Sequence, residues 1–305
     1  MTTLPSWRPG ATRDAVLEFL DAARSVPQAD RVAYFDNDGT LWCERPTYVQ
    51  AEFFLDALRR RAADDPSVGE QPEFAAVLSG DPSRVGDFGL QRIALALAGL
   101  FEGFTPEEFV AEVRAFMATA THATGRSMSA TVYQPMLELI GELRRLDFTV
   151  GIVTGGGTEF VRAVSAALYG VPAELVVGTL IAYDFERDPS GRPRLRRTGG
   201  ILGAANEGPA KVGNIQTQLG RRPILAAGNS GGDREMLEWA TAADRPALAL
   251  LVDHDDAERE YAYAGKAQTF TETEPITETA ARLGWSVVSM AGDWETVFPL
   301  PAAER

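Results

Sequence analysis

The sequence predicts an α/β fold: a parallel β-sheet core wrapped by helices, with an all-helical cap inserted after the first strand. Three observations predict it. From Tyr133 onward, short continuous apolar runs alternate with helical repeats, the pattern of parallel strands buried on both faces. One similar run, Arg31–Phe35, stands alone far upstream. Between the two, residues 45–130 carry helical periodicity and no convincing strand. The core is therefore assigned to residues 1–44 and 131–305, and the cap to residues 45–130.

The elements follow in order. Ala15–Ala23 has an amphipathic helical pattern that leads into a strand at Val32–Phe35. In the cap, Tyr48–Ala62, Gly89–Phe101 and Thr105–Ala120 read as helices, joined by segments rich in proline and aspartate at Asp64–Pro66 and Gly80–Pro82. Thr105-Pro106-Glu107-Glu108 has the capping-box pattern, with proline in the first turn. Beyond it come a helix at Met136–Arg145, a strand at Phe148–Val153, a helix at Thr158–Leu168 and a strand at Leu175–Val177. Thr179–Phe185 and Arg194–Arg197, separated by Asp188-Pro189-Ser190-Gly191, read as a β-hairpin. A helix at Lys211–Leu219, a strand at Pro223–Ala227, a helix at Arg234–Trp239 and a strand at Ala247–Val252 complete a Rossmann-like alternation.

Composition narrows the function classes. The chain has 305 residues, 45% of them apolar, enough for a large core and an accessory unit. A net charge of −14 argues against a general nucleic-acid or anionic-membrane binder. The single cysteine, Cys43, allows no internal disulfide and suits a reducing compartment. With only His122 and His254, a zinc site of cysteine and histidine is not expected. The amino terminus lacks a signal-peptide layout, and the apolar stretch Ile93–Phe101 is too short to span a bilayer. A cytoplasmic protein with no membrane partner is the expectation; its oligomeric state is not legible.

Four segments carry chemistry. Asp36-Asn37-Asp38-Gly39-Thr40 leaves the carboxyl end of the first strand, the end where open α/β sheets bind ligands. Two aspartates two residues apart suit phosphoryl transfer, one attacking phosphorus and the other handling protons, beside a cation. A plain Asp/Asn/Gly turn is the alternative. Thr154-Gly155-Gly156-Gly157 joins a strand to a helix, either as an anion site or as an easy turn. Lys211 sits early in a helix, where a lone lysine is usually a surface charge. Gly228-Asn229-Ser230-Gly231-Gly232-Asp233 offers oxygen donors of the kind Mg²⁺ takes.

In chain order these are an aspartate pair, a hydroxyl–glycine turn, a lysine and an acidic glycine-rich loop. That ordered set resembles the four motifs of the haloacid dehalogenase superfamily, across the whole core. The helical block resembles, in topology, the cap of its phosphoserine phosphatase-like branch. The resemblance implies that Asp36 is a nucleophile forming an aspartyl-phosphate, and that Asp38 protonates the leaving oxygen and then activates water. It implies phosphoryl binding by Thr154, Gly155 N–H and Lys211. It further implies Mg²⁺ held by Asp36, the Asp38 carbonyl, Asn229 and Asp233. Many relatives have aspartate where this chain has Asn229, which leaves open whether Asn229 or Asp233 meets the metal. Dehalogenase members lack the second aspartate, so Asp38 favours a phosphatase.

The expected activity is Mg²⁺-dependent hydrolysis of a small phosphorylated metabolite. A phosphotransferase or phosphomutase using the same intermediate, and a silent phosphometabolite-binding protein, are the alternatives. Glu44 and Arg45 follow the first motif and are candidates for reading the substrate; a solvated hinge salt bridge is the other reading. Trp42 reads as a core aromatic or a site wall. His122 is expected on an exposed loop and His254 in a solvated acidic loop with Asp253, Asp255 and Asp256. Arg192, Arg194, Arg196 and Arg197 read as edge-strand charges or as a basic hairpin attracting an anionic substrate.

Overall fold

The structure is a computed structural model that describes residues 3–242 and 244–300. Helix α1 (Ala11–Ala22) leads into β1 (Val32–Phe35), followed by five helices: α2 (Val49–Asp64), α3 (Pro72–Leu78), α4 (Pro82–Phe88), α5 (Leu90–Gly99) and α6 (Pro106–Thr119). The chain then alternates through α7 (Gln134–Arg145), β2 (Thr149–Gly157), α8 (Thr158–Tyr169), β3 (Val176–Arg187) and β4 (Pro193–Leu202). It closes with α9 (Pro209–Gln218), β5 (Leu225–Gly228), α10 (Arg234–Thr241), β6 (Leu248–Asp255), β7 (Ala262–Tyr263), α11 (Ile276–Leu283), β8 (Ser286–Ser289) and α12 (Met290–Asp293).

The strands form one sheet in the order β4-β3-β2-β1-β5-β6-β7, with β8 parallel to β6. Only β4 and β7 run antiparallel to their neighbours. Both faces are covered, and β1 demonstrates how: Ala33 and Phe35 join one apolar cluster, Val32 and Tyr34 the other. A strand buried on two sides has no use for polar alternation, which accounts for its continuous apolar run. Strand order reverses at β1, which has β2 on one side and β5 on the other; ligands bind at such switch points.

Several elements differ from expectation. Leu175–Val177 and Thr179–Phe185 are one strand, β3, because Gly178 continues the extended chain instead of breaking it. The stretch between the two proline joints folds as α3, and α4 starts at the second joint, each with proline at its first position. Their seven residues are too few to display a helical period. Strand β8 also went unread, as did the pairing of Trp7 with Trp294 that ties the amino-terminal segment to α12. Arg197 is buried against Glu159 and over the Phe109 ring at 4.0 Å, so it is not an edge charge; Arg194 and Arg196 remain exposed or half-buried beside Asp188 and Glu186. Among the described residues no helix is long and apolar enough to cross a membrane.

The insertion is continuous with the core. Phe53 of α2 stacks on Phe101 at 5.0 Å and meets Phe160 of α8 at 5.4 Å. Trp42, just after β1, touches Phe160 and Tyr169 at 6.3 and 6.4 Å. Thr105 forms the predicted capping box with Glu108, satisfying two backbone donors at the start of α6.

Candidate active site

Strand register brings the motifs together. Phe35 pairs with Ile152 of β2 and with Ala227 of β5. Asp36, Thr154 and Asn229 thus follow within two residues of one register row on three adjacent strands, just past the ends of β1 and β5 and in the last half of β2. Asp36 N–H donates to Ala227 O at 2.9 Å, extending the ladder one step and holding its side chain at the sheet edge.

Lysine 211, in the first turn of α9, reaches the same point. Its Nζ donates to Asp36 Oδ1 at 2.6 Å, Asp233 Oδ1 at 2.6 Å and Val153 O at 2.8 Å. It is 2% exposed, so the surface-lysine alternative is excluded. Asp36 Oδ2 accepts from Thr40 Oγ1 at 3.1 Å. Asp38 is held differently: Trp42 Nε1 donates to its Oδ1 at 2.8 Å, and Thr154 Oγ1 lies 3.4 Å from Oδ2. Trp42 is therefore both core and site. Gly39 makes the turn at φ +75°, a conformation that strains residues with a Cβ.

Thr154–Gly157 is not a turn after the strand but the irregular last part of β2, with Gly157 paired to Thr179, and it is less open than its sequence suggests. Gly156 N–H donates to Thr154 Oγ1 at 3.0 Å, and Gly157 N–H to Gln50 Oε1 of α2 at 2.8 Å. Gly155 is exposed. Asp233 is also fully engaged: its Oδ2 accepts from Asn229 N–H and Ser230 N–H, both at 3.1 Å, while Oδ1 faces Lys211.

A family model described as haloacid dehalogenase-like hydrolase matches residues 33–238, which contain all four motifs. The chain belongs to that family. Among solved structures it is similar to a protein of unknown function from Bordetella pertussis Tohama I, with 19% identity and TM-score 0.52 over 85% of this chain and 98% of that one. A functionally unknown protein from Anaerococcus prevotii DSM 20548 matches at 14% identity and TM-score 0.54, over 84% and 89%. These likenesses show the fold. A probable phosphoserine phosphatase from Vibrio cholerae matches at 16% identity, over 72% of this chain and 55% of that one, with a TM-score of 0.42 too low to build on. No curated protein matches the sequence.

This haloacid dehalogenase-like site is rich in buried negative charge. Burial pushes the Asp36 carboxyl well above its usual range, and Asp233 adds to the rise while Lys211 opposes it. Burial raises Asp38 as well, against the Trp42 hydrogen bond. Burial then Asp38 raise Glu44. For Lys211 burial acts downward, yet Asp233 and Asp36 together hold its ammonium above the ordinary lysine value. Asp36, Asp38 and Asp233 thus gather around one lysine, and their donor atoms are all oxygens, which fits a hard divalent cation. Among the described residues no three His, Cys, Asp or Glu side chains converge as a cage on their own. Asn229, with an amide oxygen, is 3% exposed in the loop beside Asp36.

The remaining candidates take definite places. Glu44 is buried and accepts from Asn229 Nδ2 at 3.2 Å, so it forms no solvated hinge salt bridge. Arg45 lies over the Tyr263 ring at 4.5 Å. His122 is buried rather than exposed, with Nε2 2.7 Å from Arg45 O. His254 is buried too: one ring nitrogen meets Gly39 O at 2.8 Å and the other Glu260 Oε2 at 3.1 Å, while Tyr263 stacks on the ring at 4.3 Å. His254 and Gln50 thus brace the motif loops, and sequence reasoning missed both. A cavity of about 410 Å³ at the opposite edge of β1 and β5 is lined by Arg221, Arg222 and Arg245. These already bond Thr149, Trp239 O and Asp30, which leaves the cavity no role in this chemistry.

Proposed function

We propose that this hydrolase is a Mg²⁺-dependent phosphomonoesterase acting on a small phosphorylated metabolite through an aspartyl-phosphate at Asp36. The observation that carries the reading is the pairing of two differently held carboxylates on one turn. Asp36 is bonded to Lys211, whereas Asp38 is clamped by Trp42 and directed toward Thr154. A nucleophile and a separate acid are what stepwise phosphomonoester hydrolysis needs.

In this reading Asp36 attacks phosphorus and the substrate oxygen leaves with a proton from Asp38. Asp38, now a carboxylate, takes a proton from water. That water attacks the phosphorus of the acyl-phosphate, releasing inorganic phosphate and regenerating Asp36. Thr154 Oγ1, the Gly155 N–H and Lys211 bind phosphoryl oxygens and offset their charge. Asp233 acts through Lys211 and through the loop it caps. Asp36, the Asp38 carbonyl and Asn229 would hold Mg²⁺. When bound, the ion neutralises phosphoryl charge that the surrounding carboxylates would otherwise repel. Arg45, whose Nε is buried without a hydrogen-bond partner among the described residues, is assigned to an anionic group on the rest of the substrate.

Phosphate release from p-nitrophenyl phosphate with Mg²⁺ tests the reading. Wild type should turn over, and Asp36→Asn should be inactive while unfolding at the wild-type temperature. Turnover that appears only when an acceptor alcohol is added would make the protein a transferase. No turnover with any phosphoester would make it a binder. Activity near wild type in Asp36→Asn would remove Asp36 as nucleophile.

A further inference from the structure

The amide at position 229 lies against a carboxylate from a distant part of the chain. Asn229 Nδ2 donates to Glu44 Oε1 at 3.2 Å, and the two side chains are 3% and 7% exposed. Gly39 presses them together. A Cβ added at Gly39 would collide with the Asn229 side chain and stand 3.0 Å from the Glu44 carboxyl carbon. Tyr263 is the other side chain set against Glu44. Asp233 is taken up by Lys211 and by its own loop.

An amide is polar at two ends: its nitrogen only donates and its oxygen only accepts. With Nδ2 committed to Glu44, Oδ1 is the end left for any other group. A carboxylate at position 229 would instead meet the Glu44 carboxylate oxygen to oxygen, in a buried place. Asparagine and glutamate here are therefore a matched choice, the acid standing at position 44 and the amide at 229.

We propose that Glu44 is a positioning residue of the metal site: it fixes the Asn229 amide with its oxygen toward the ion and supplies the negative charge that Asn229 lacks. The site as a metal site rests on the function proposed above; the matching of the two side chains does not. The departure at position 229 is then a relocation of charge, not a loss of it. It also accounts for the burial of a glutamate immediately after the first motif.

Four proteins test this: wild type, Glu44→Gln, Asn229→Asp and the double variant. Each is unfolded thermally without metal and titrated with Mg²⁺ by calorimetry. Glutamine keeps an acceptor for Asn229 but removes the charge, so Glu44→Gln should fold normally and bind Mg²⁺ about 10- to 100-fold more weakly, the range for a side chain that supports a metal ligand. Asn229→Asp should melt earlier than wild type in the absence of metal. Adding Glu44→Gln to it should restore both the melting temperature and Mg²⁺ affinity. Unchanged Mg²⁺ affinity in Glu44→Gln would overturn the charge role, and a double variant no better than Asn229→Asp would overturn the pairing. Absence of Mg²⁺ binding in wild type would overturn the metal reading itself, and the metal-free melting series still decides the pair.

Discussion

At the scale of residues, the site depends on giving neighbouring carboxylates different partners. Asp36 is held by Lys211 and Thr40, and Asp38 by Trp42, although only one residue separates them. The difference predicts how Asp38→Asn should fail. General acid catalysis is worth about 10²–10⁴ in rate, and most where the leaving oxygen is a poor leaving group. Asp38→Asn should therefore lose most activity on alkyl phosphates and least on p-nitrophenyl phosphate, read as kcat against leaving-group pKa. Equal loss across the series would mean that Asp38 only shapes the loop. These aspartates, Thr154, Lys211, Asn229 and Asp233 were legible because each stands at a strand end or helix start that local pattern defines. Glu44, Gln50 and His254 were not legible as supports. Their partners Asn229, Gly157 and Gly39 lie 185, 107 and 215 positions away in sequence, and only the folded sheet brings them together.

Elements were read to the extent that their pattern is local. The parallel strands announce themselves as apolar runs, and α6 announces its start through Thr105-Pro106-Glu107-Glu108. Short α3 and α4 do not, since two turns of helix leave too few apolar positions to show a period. The same logic gives an element-level test. Thr105 Oγ1 accepts from Glu108 N–H at 3.2 Å and Glu108 returns a bond to Thr105 N–H at 2.7 Å. Thr105→Ala should lower stability by about 1 kcal/mol, the usual worth of such a cap, measured as a shift in urea midpoint. Its kcat on p-nitrophenyl phosphate should not change, because the capping bonds are exposed and join Thr105 only to Glu108. A large kcat effect would mean that α6 itself shapes the site.

Across the whole molecule, the helical insertion and the sheet share one apolar core. A path of aromatic contacts runs from Asp38 through Trp42 and Phe160 to Phe53 and Phe101 of the insertion. The Gln50 bond to Gly157 adds a polar tie between α2 and the glycine segment. The insertion therefore packs directly against the residues that hold Asp38 and the glycine segment. The chemistry at Asp36 is the central claim, and it has a direct chemical signature. Wild-type protein mixed with phosphate-labelled substrate and quenched in acid within one turnover should carry label that survives acid but is released by hydroxylamine, as an acyl-phosphate is. Peptide mapping should place it on Asp36, and Asp36→Asn should carry none. Turnover with no protein-bound label, or label on any other residue, would contradict the account.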